Sequence, residues 1–348
     1  MALPLLVSLA LLVAGYGILF VWSLVLSRRQ SPGPETLRLG VSLAYYPVMA
    51  ISAWFYMNAA TTLLEVVLSL VGTYIVANLF RLPAAFVMAR RFGTGATFCR
   101  YARASLTFQG VVSGPFLAAI ILYYAFWSLV PNAPFLVGMT AAVAVLLLVS
   151  STTPWLLART CRRDPRLSAI GAAVAARAHV PAPVVMVLPT RAASIANAFV
   201  MGPFNHFLFV TDHLWEETGP DLTAATVAHE IGHRTGGHLT IALLFLPIWD
   251  LAISLSGASP PFSVALLFGG FLILFALMRR SEYKADEFAA HVLGADLMIR
   301  DLEALAKLNR PGVREPPPRR PSPFATHPTV RGRIERLRRL LAAGVLHA

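Results

Sequence analysis

Charge is what this sequence has least of. Asp, Glu, Lys and Arg make up 13% of its 348 residues, against about 25% in an ordinary soluble domain. The shortfall is concentrated in long apolar runs, which excludes a uniformly solvated surface and points to a membrane protein. Cysteine is nearly absent too: Cys99 and Cys161 stand alone, in no CxxC or zinc-finger spacing. That excludes a disulfide scaffold and leaves the redox compartment open. Lysine occurs only at 284 and 307, so the net charge of +12 is carried by arginine. These arginines cluster at the ends of apolar runs and form no stripe interleaved with aromatics, which argues against a nucleic-acid partner. No internal repeat is visible.

A helix needs about 20 mostly apolar residues to cross a bilayer. Seven runs qualify: Leu3–Leu26, Val41–Met57, Thr61–Phe80, Leu106–Val130, Phe135–Leu157, Thr240–Ala258 and Phe262–Met278. The first lacks a basic n-region and a cleavage site, so it reads as a retained span. Arginines follow the first, third, fifth and seventh runs, whereas Asn58–Ala60 and Pro131–Pro134 are uncharged. Basic loops mark the cytoplasmic side. The expected organisation is therefore a mainly α, polytopic membrane protein with about seven transmembrane helices and a small α+β cytoplasmic domain. Residues 1–157 would hold five spans, 158–239 the cytoplasmic domain, 240–278 two spans, and 279–348 a cytoplasmic C-terminal part with a basic tail.

Between the fifth and sixth runs lies the sizeable water-soluble stretch. Leu167–His179 has an Ala-rich helical pattern. Val184–Leu188, Ile195–Val200 and Phe207–Thr211 are short β-branched and aromatic runs that suit a small sheet. Pro220-Asp221 opens an apolar-periodic helix. Past Met278 the seventh run continues as helix through Leu293, Pro311–Pro328 is an irregular connector, and Val330–Leu341 is a basic amphipathic helix.

Inside the helix after Asp221 stands Ala228-His229-Glu230-Ile231-Gly232-His233. Residues four apart share a helical face, so His229 and His233 can aim their imidazoles at one point. Two such imidazoles make half a zinc site. Glu230, one residue past the first ligand, reaches a metal-held water rather than the metal, as a general base must. Three positions can coincide by chance, so a third ligand is needed. The acidic residues after His233 are Asp250, Glu282, Asp286, Glu287, Asp296, Asp301, Glu303, Glu315 and Glu335. Glu282 and Asp286 stand out, four apart on one face: one carboxylate can take the metal while the other accepts a ligand histidine's spare N–H. The alternative is a solvated acidic face beside Lys284.

Four stretches together resemble the zinc metalloprotease family of the type 1 CAAX prenyl protease and the HtpX-type membrane proteases. They are Asn197-Ala198-Phe199 with Gly202, the HEIGH of 229–233 with His238 beyond it, Glu282-Tyr283-Lys284-Ala285-Asp286, and Thr326-His327-Pro328 with Arg333-Ile334. The resemblance covers about residues 165–340. It implies one zinc per chain, with Glu282 as third ligand and Asp286 as partner of a ligand histidine. It also implies that Asn197 lies on an edge strand that holds substrate backbone. His327 and Arg333 would lie near the site, where they contact the transition state or a substrate carboxylate; for His327 a packing role is the alternative.

The expected function is that of an integral-membrane zinc metalloendopeptidase with its site on the cytoplasmic side, in a bacterial cell membrane, cleaving membrane-associated proteins or peptides. A membrane zinc-domain signalling receptor and a catalytically inactive scaffold are the rivals. Glu65 and Asp250 fall inside apolar runs, where ionisable groups face protein or water. His238 could stand near the metal, but its offset of five from His233 takes it off the ligand face.

Overall fold

The computed structural model describes residues 82–83, 85–87, 89–90, 95–110, 135–201, 207–257, 259–309 and 325–347. The chain divides into two compact units, the first comprising Met1–Gly138, Ala192–Ser194 and Arg310–Glu315. In it residues 98–110 are helical, and Phe86 packs against the rings of Phe98 and Tyr101 at 5.3 and 5.5 Å. The second comprises Met139–Arg191, Ile195–Asn309 and Pro316–Ala348.

Helix α1 (Phe135–Ala158) leads to α2 (Pro165–Arg177), β1 (Val184–Leu188), β2 (Ala198–Met201) and β3 (Phe207–Thr211). Then follow α3 (Asp212–Thr235), α4 (His238–Leu255), α5 (Pro260–Leu293), α6 (Ala295–Asn309) and α7 (Val330–Ala342). Asp164 starts α2 by accepting from the N–H groups of Arg166 and Leu167 at 2.9 and 3.2 Å, with Pro165 preorganised for the first turn. The buried face of α2, Leu167, Gly171, Val174 and Ala175, follows helical periodicity and rests on β1. The sheet order is β1-β3-β2, with β1 parallel and β2 antiparallel to β3. All five residues of the central β3 are buried, and β2 is left as an edge.

The strands at 184–188 and 207–211 fall where the β-branched runs predict them, whereas β2 starts three residues later than expected. Helix α3 begins at Asp212, caps on the Thr211 hydroxyl, and kinks at Gly219 (φ 74°) before Pro220. The expected start at Asp221 is the second segment beyond this kink. Beneath it, Val227, Ala228 and Ile231 join Ala289 and Ala290 of α5, Met298 and Leu302 of α6, and Ile334 and Leu337 of α7 in one core. Each fully buried large side chain there contributes roughly 1.5–3 kcal/mol.

A close approach between α3 and α5 sets up everything that follows. A Cβ at Gly232 would stand 3.0 Å from the Ala285 Cα and 3.1 Å from its carbonyl oxygen. Glycine facing alanine therefore lets the two backbones nearly touch, and Glu282 comes opposite the histidines one turn away.

The expectation of seven spans is corrected. Among the described residues no helix is long and apolar enough to cross a membrane. In α1 the apolar run gives way to Ser150-Ser151-Thr152-Thr153-Pro154. The 18 residues of α4 include His238, Pro247 and Asp250, and α5 continues as one 34-residue helix through Arg279, Arg280 and Lys284. The first three expected spans, most of the fourth, Glu65, Gly202 and the connector up to residue 324 lie outside the described residues.

Candidate metal centre

Three side chains from two helices converge. His229 Nε2 lies 3.1 Å from His233 Nε2. Glu282 places Oε1 3.2 Å from His233 Nε2 and Oε2 3.6 Å from His229 Nε2. Two donors each about 2.0–2.1 Å from a tetrahedral zinc would stand roughly 3.3–3.4 Å apart. The observed spacings bracket that edge length, and among the described residues these three form the group able to hold a metal. Two imidazoles and one carboxylate are also the donor chemistry of a catalytic zinc site with an open position. The residues present therefore fit the ion.

The remaining nitrogens of both imidazoles are engaged. His229 Nδ1 is 2.9 Å from Asp286 Oδ1, and His233 Nδ1 is 2.9 Å from His238 Nδ1. A carboxylate can only accept, so His229 Nδ1 carries a proton, and as a ligand the ring would then present its Nε2 lone pair to the metal position. If His233 also ligates through Nε2, its Nδ1 proton goes to His238 Nδ1, which must then accept. Burial, His233 and Lys284 hold the His238 ring down at a pKa of about 4, so it is neutral at neutral pH.

His238 reaches this place because α3 ends at Gly236 and Gly237 turns back with φ 63°. A helical offset of five loses its meaning across that break. The signal was the Gly-Gly pair itself, since a left-handed glycine marks a helix end and a change of direction.

Glu230 stands beside the ligands, buried, and its Oε2 accepts from the Val200 N–H of β2 at 3.1 Å. Burial raises its pKa against the opposing influence of His233 and His229. Asp286 is wholly buried. Burial pushes its carboxyl up, but the Arg333 guanidinium outweighs this and holds it below the usual range. Arg333 bonds Asp286 through Nε at 2.7 Å and a terminal nitrogen at 2.5 Å, and sets its other terminal nitrogen 3.2 Å from Glu282. With its side chain 12% exposed, Arg333 braces the site's carboxylates from α7. Arg336 reinforces the docking of α7 through Glu287 at 2.5 Å and the Tyr283 ring at 5.2 Å.

His327 places Nδ1 3.0 Å from Glu282 Oε1 and keeps its side chain 66% exposed. Arg279 holds that loop by donating to the Ala325 carbonyl at 2.6 Å. Asn197 is exposed and immediately precedes β2. Its backbone N–H donates to the Thr211 hydroxyl at 2.9 Å, and its carbonyl accepts from the Thr211 N–H at 2.9 Å.

Sequence reasoning carried Asp301 only as one acidic candidate for the metal. It lies on α6 instead, fully buried, with both oxygens 2.9–3.0 Å from the Thr226 hydroxyl of α3. Burial raises its carboxyl to about 7, with Thr226 opposing the shift.

A helix bearing two histidines with a glutamate between them, completed by a carboxylate from a second helix, defines the class of metallopeptidases. The chain matches Peptidase family M48 over residues 161–341. It belongs to that family of zinc metalloproteases and is a metalloendopeptidase. Similar curated proteins include a "Protease HtpX homolog" of Pyrococcus abyssi, 28% identical over 230 residues, which span 53% of this chain and 78% of the relative. "Protease HtpX" of Stutzerimonas stutzeri is 30% identical over 181 residues, 41% of this chain and 62% of that protein. Among solved structures, the crystal structure of S. mikatae Ste24p superposes with a TM-score of 0.61 at 18% identity. That match covers 97% of this chain and 99% of the other, a likeness of fold.

Proposed function

We propose that the protein is a zinc endopeptidase that holds one zinc per chain on His229, His233 and Glu282, and cleaves membrane-associated proteins or peptides at the cytoplasmic face. The spacing of the two imidazole nitrogens from each other and from the Glu282 carboxylate oxygens, 3.1–3.6 Å, with Glu230 alongside, carries this reading. Exposed apolar side chains on α4 and α5, among them Ile248, Leu255, Phe262 and Phe268, support a lipid-facing site of action.

Zinc in such a site polarises a peptide carbonyl and lowers the pKa of water to about 7. Glu230, steered by the Val200 N–H, takes the proton from the attacking water and returns it to the leaving amine. Asp286 keeps His229 in the ligating tautomer, and Arg333 keeps Asp286 ionised and in place. The Glu282 carboxylate at its Nδ1 raises the pKa of His327, and in its protonated form the ring can donate from Nε2 to the developing oxyanion. The β2 edge pairs with an extended substrate, and the exposed Asn197 amide holds the substrate backbone where that edge begins.

Glu230→Gln tests the assignment. Zinc content, measured by elemental analysis, should stay near one per chain while peptide hydrolysis falls roughly 10²-fold or more. Retention of full hydrolysis would remove Glu230 as the base.

A further inference from the structure

Beside the metal centre, where α3 turns into α4 against α5, lies a cavity of about 490 Å³ that the hydrolytic mechanism does not use. Thr235, His238, Ile241, Leu277, Arg280 and Lys284 are among its walls. Arg280 and Lys284 stand one turn apart on α5, both exposed, and among the described residues neither forms an ion pair. The N-terminus of α4 opens into the same place, and its N-cap Gly237 contributes no capping side chain. The first N–H groups of a helix carry partial positive charge and suit an anion. His238 adds a donor. If its Nδ1 accepts from His233, its Nε2 carries the proton, and that nitrogen lies over Gly236 on the cavity wall, where a Cβ would meet it at 2.4 Å.

The other half of the cavity is apolar, and it opens along an apolar surface. From Ile241 the exposed Ile248 and Leu255 recur on one face of α4, and from Leu277 the exposed Ile273 lies one turn back on α5. A cationic mouth that leads into an exposed apolar stripe matches one kind of ligand, a molecule with an anionic head and a hydrocarbon tail. We propose that this cavity binds the phosphate of an anionic phospholipid between Arg280, Lys284 and the start of α4, with the acyl chains lying along α4 and α5. His238, on the cavity wall, stands between the bound headgroup and His233; the lipid binding does not rest on the zinc site proposed above.

The test titrates the full chain, purified in a neutral detergent, with dioctanoyl phosphatidylglycerol, dioctanoyl phosphatidylcholine or inorganic phosphate. Tryptophan fluorescence and the thermal midpoint are followed, and zinc content is measured in parallel. Phosphatidylglycerol should bind saturably and raise the midpoint, with phosphatidylcholine and inorganic phosphate each at least about tenfold weaker. Arg280→Gln and Lys284→Gln together should weaken phosphatidylglycerol about tenfold or more, with each single variant intermediate and zinc content unchanged. Unaltered affinity in the double variant overturns the proposal. Inorganic phosphate binding as tightly as the lipid overturns the lipid source and assigns the cavity to a free anion. Loss of zinc from wild-type protein would instead count against the metal site, so the two failures are separate.

Discussion

At the scale of single residues, the ring nitrogens of His229 and His233 that face away from the candidate metal position are both engaged. His229 is held by a carboxylate and His233 by another imidazole, partners of different strength. Asp286 is braced by Arg333, whereas His238 is a neutral ring at the start of α4. Removing such partners typically costs about 10–100-fold in metal affinity. His238→Ala should fall in that range by chelator competition, with His238→Gln recovering part of the loss through its side-chain acceptor. An unchanged affinity in His238→Ala would show the 2.9 Å contact to be incidental. The ligand pair itself was legible in the sequence because helical periodicity is local, and four residues apart means one face whatever the surroundings. Glu282 and Asp286 were legible as a pair for the same reason, and the resemblance separated their roles. His238 was not, because its position depends on the backbone direction Gly237 takes.

At the scale of elements, the contact of α3 with α5 decides whether the ligands meet. Alanine is the better helix former by about 1 kcal/mol, so Gly232→Ala would stabilise an isolated α3. Here its Cβ meets backbone atoms of Ala285, which cannot rotate away. The variant should destabilise the protein by about 1–3 kcal/mol and loosen zinc as His233 is pushed from Glu282. Thermal denaturation and metal titration measure the two effects; a higher thermal midpoint would mean that α5 gives way easily. The short strands were readable from β-branched runs and α2 from its Ala-rich helical pattern, whereas its cap at Asp164 emerged only in the fold. The exact start of β2 was not, since Asn197 is tied to Thr211 by its backbone and stays outside the ladder. Apolar runs were counted as spans because hydropathy sums over Ser150–Pro154 and over Pro247 and Asp250, where the helices break their apolar character.

At the scale of the whole molecule, Asp301 ties stability to pH. An unfolded aspartate titrates near 3.9, and in the fold burial lifts Asp301 to about 7. The folded state therefore binds the proton more tightly. The associated stability is fully present below about pH 4, erodes as pH rises, and is gone above about pH 7, a loss on the order of a few kcal/mol. Asp301→Asn keeps the shape and cannot ionise. Its thermal midpoint relative to wild type should rise between about pH 4 and pH 7 and level off above that, at constant zinc. A difference that stays flat across that interval would show that Asp301 keeps its ordinary acidity in the fold.

The docking of α7 has a consequence in time. Chains are made from the N-terminus and domains fold as they emerge, so His229, His233, Glu282 and Asp286 all leave the ribosome ahead of Arg333. Until α7 arrives, Asp286 lacks the guanidinium that offsets most of the cost of its burial and keeps only its contact with His229. The charge network beneath the candidate metal centre is thus complete only once α7 has docked.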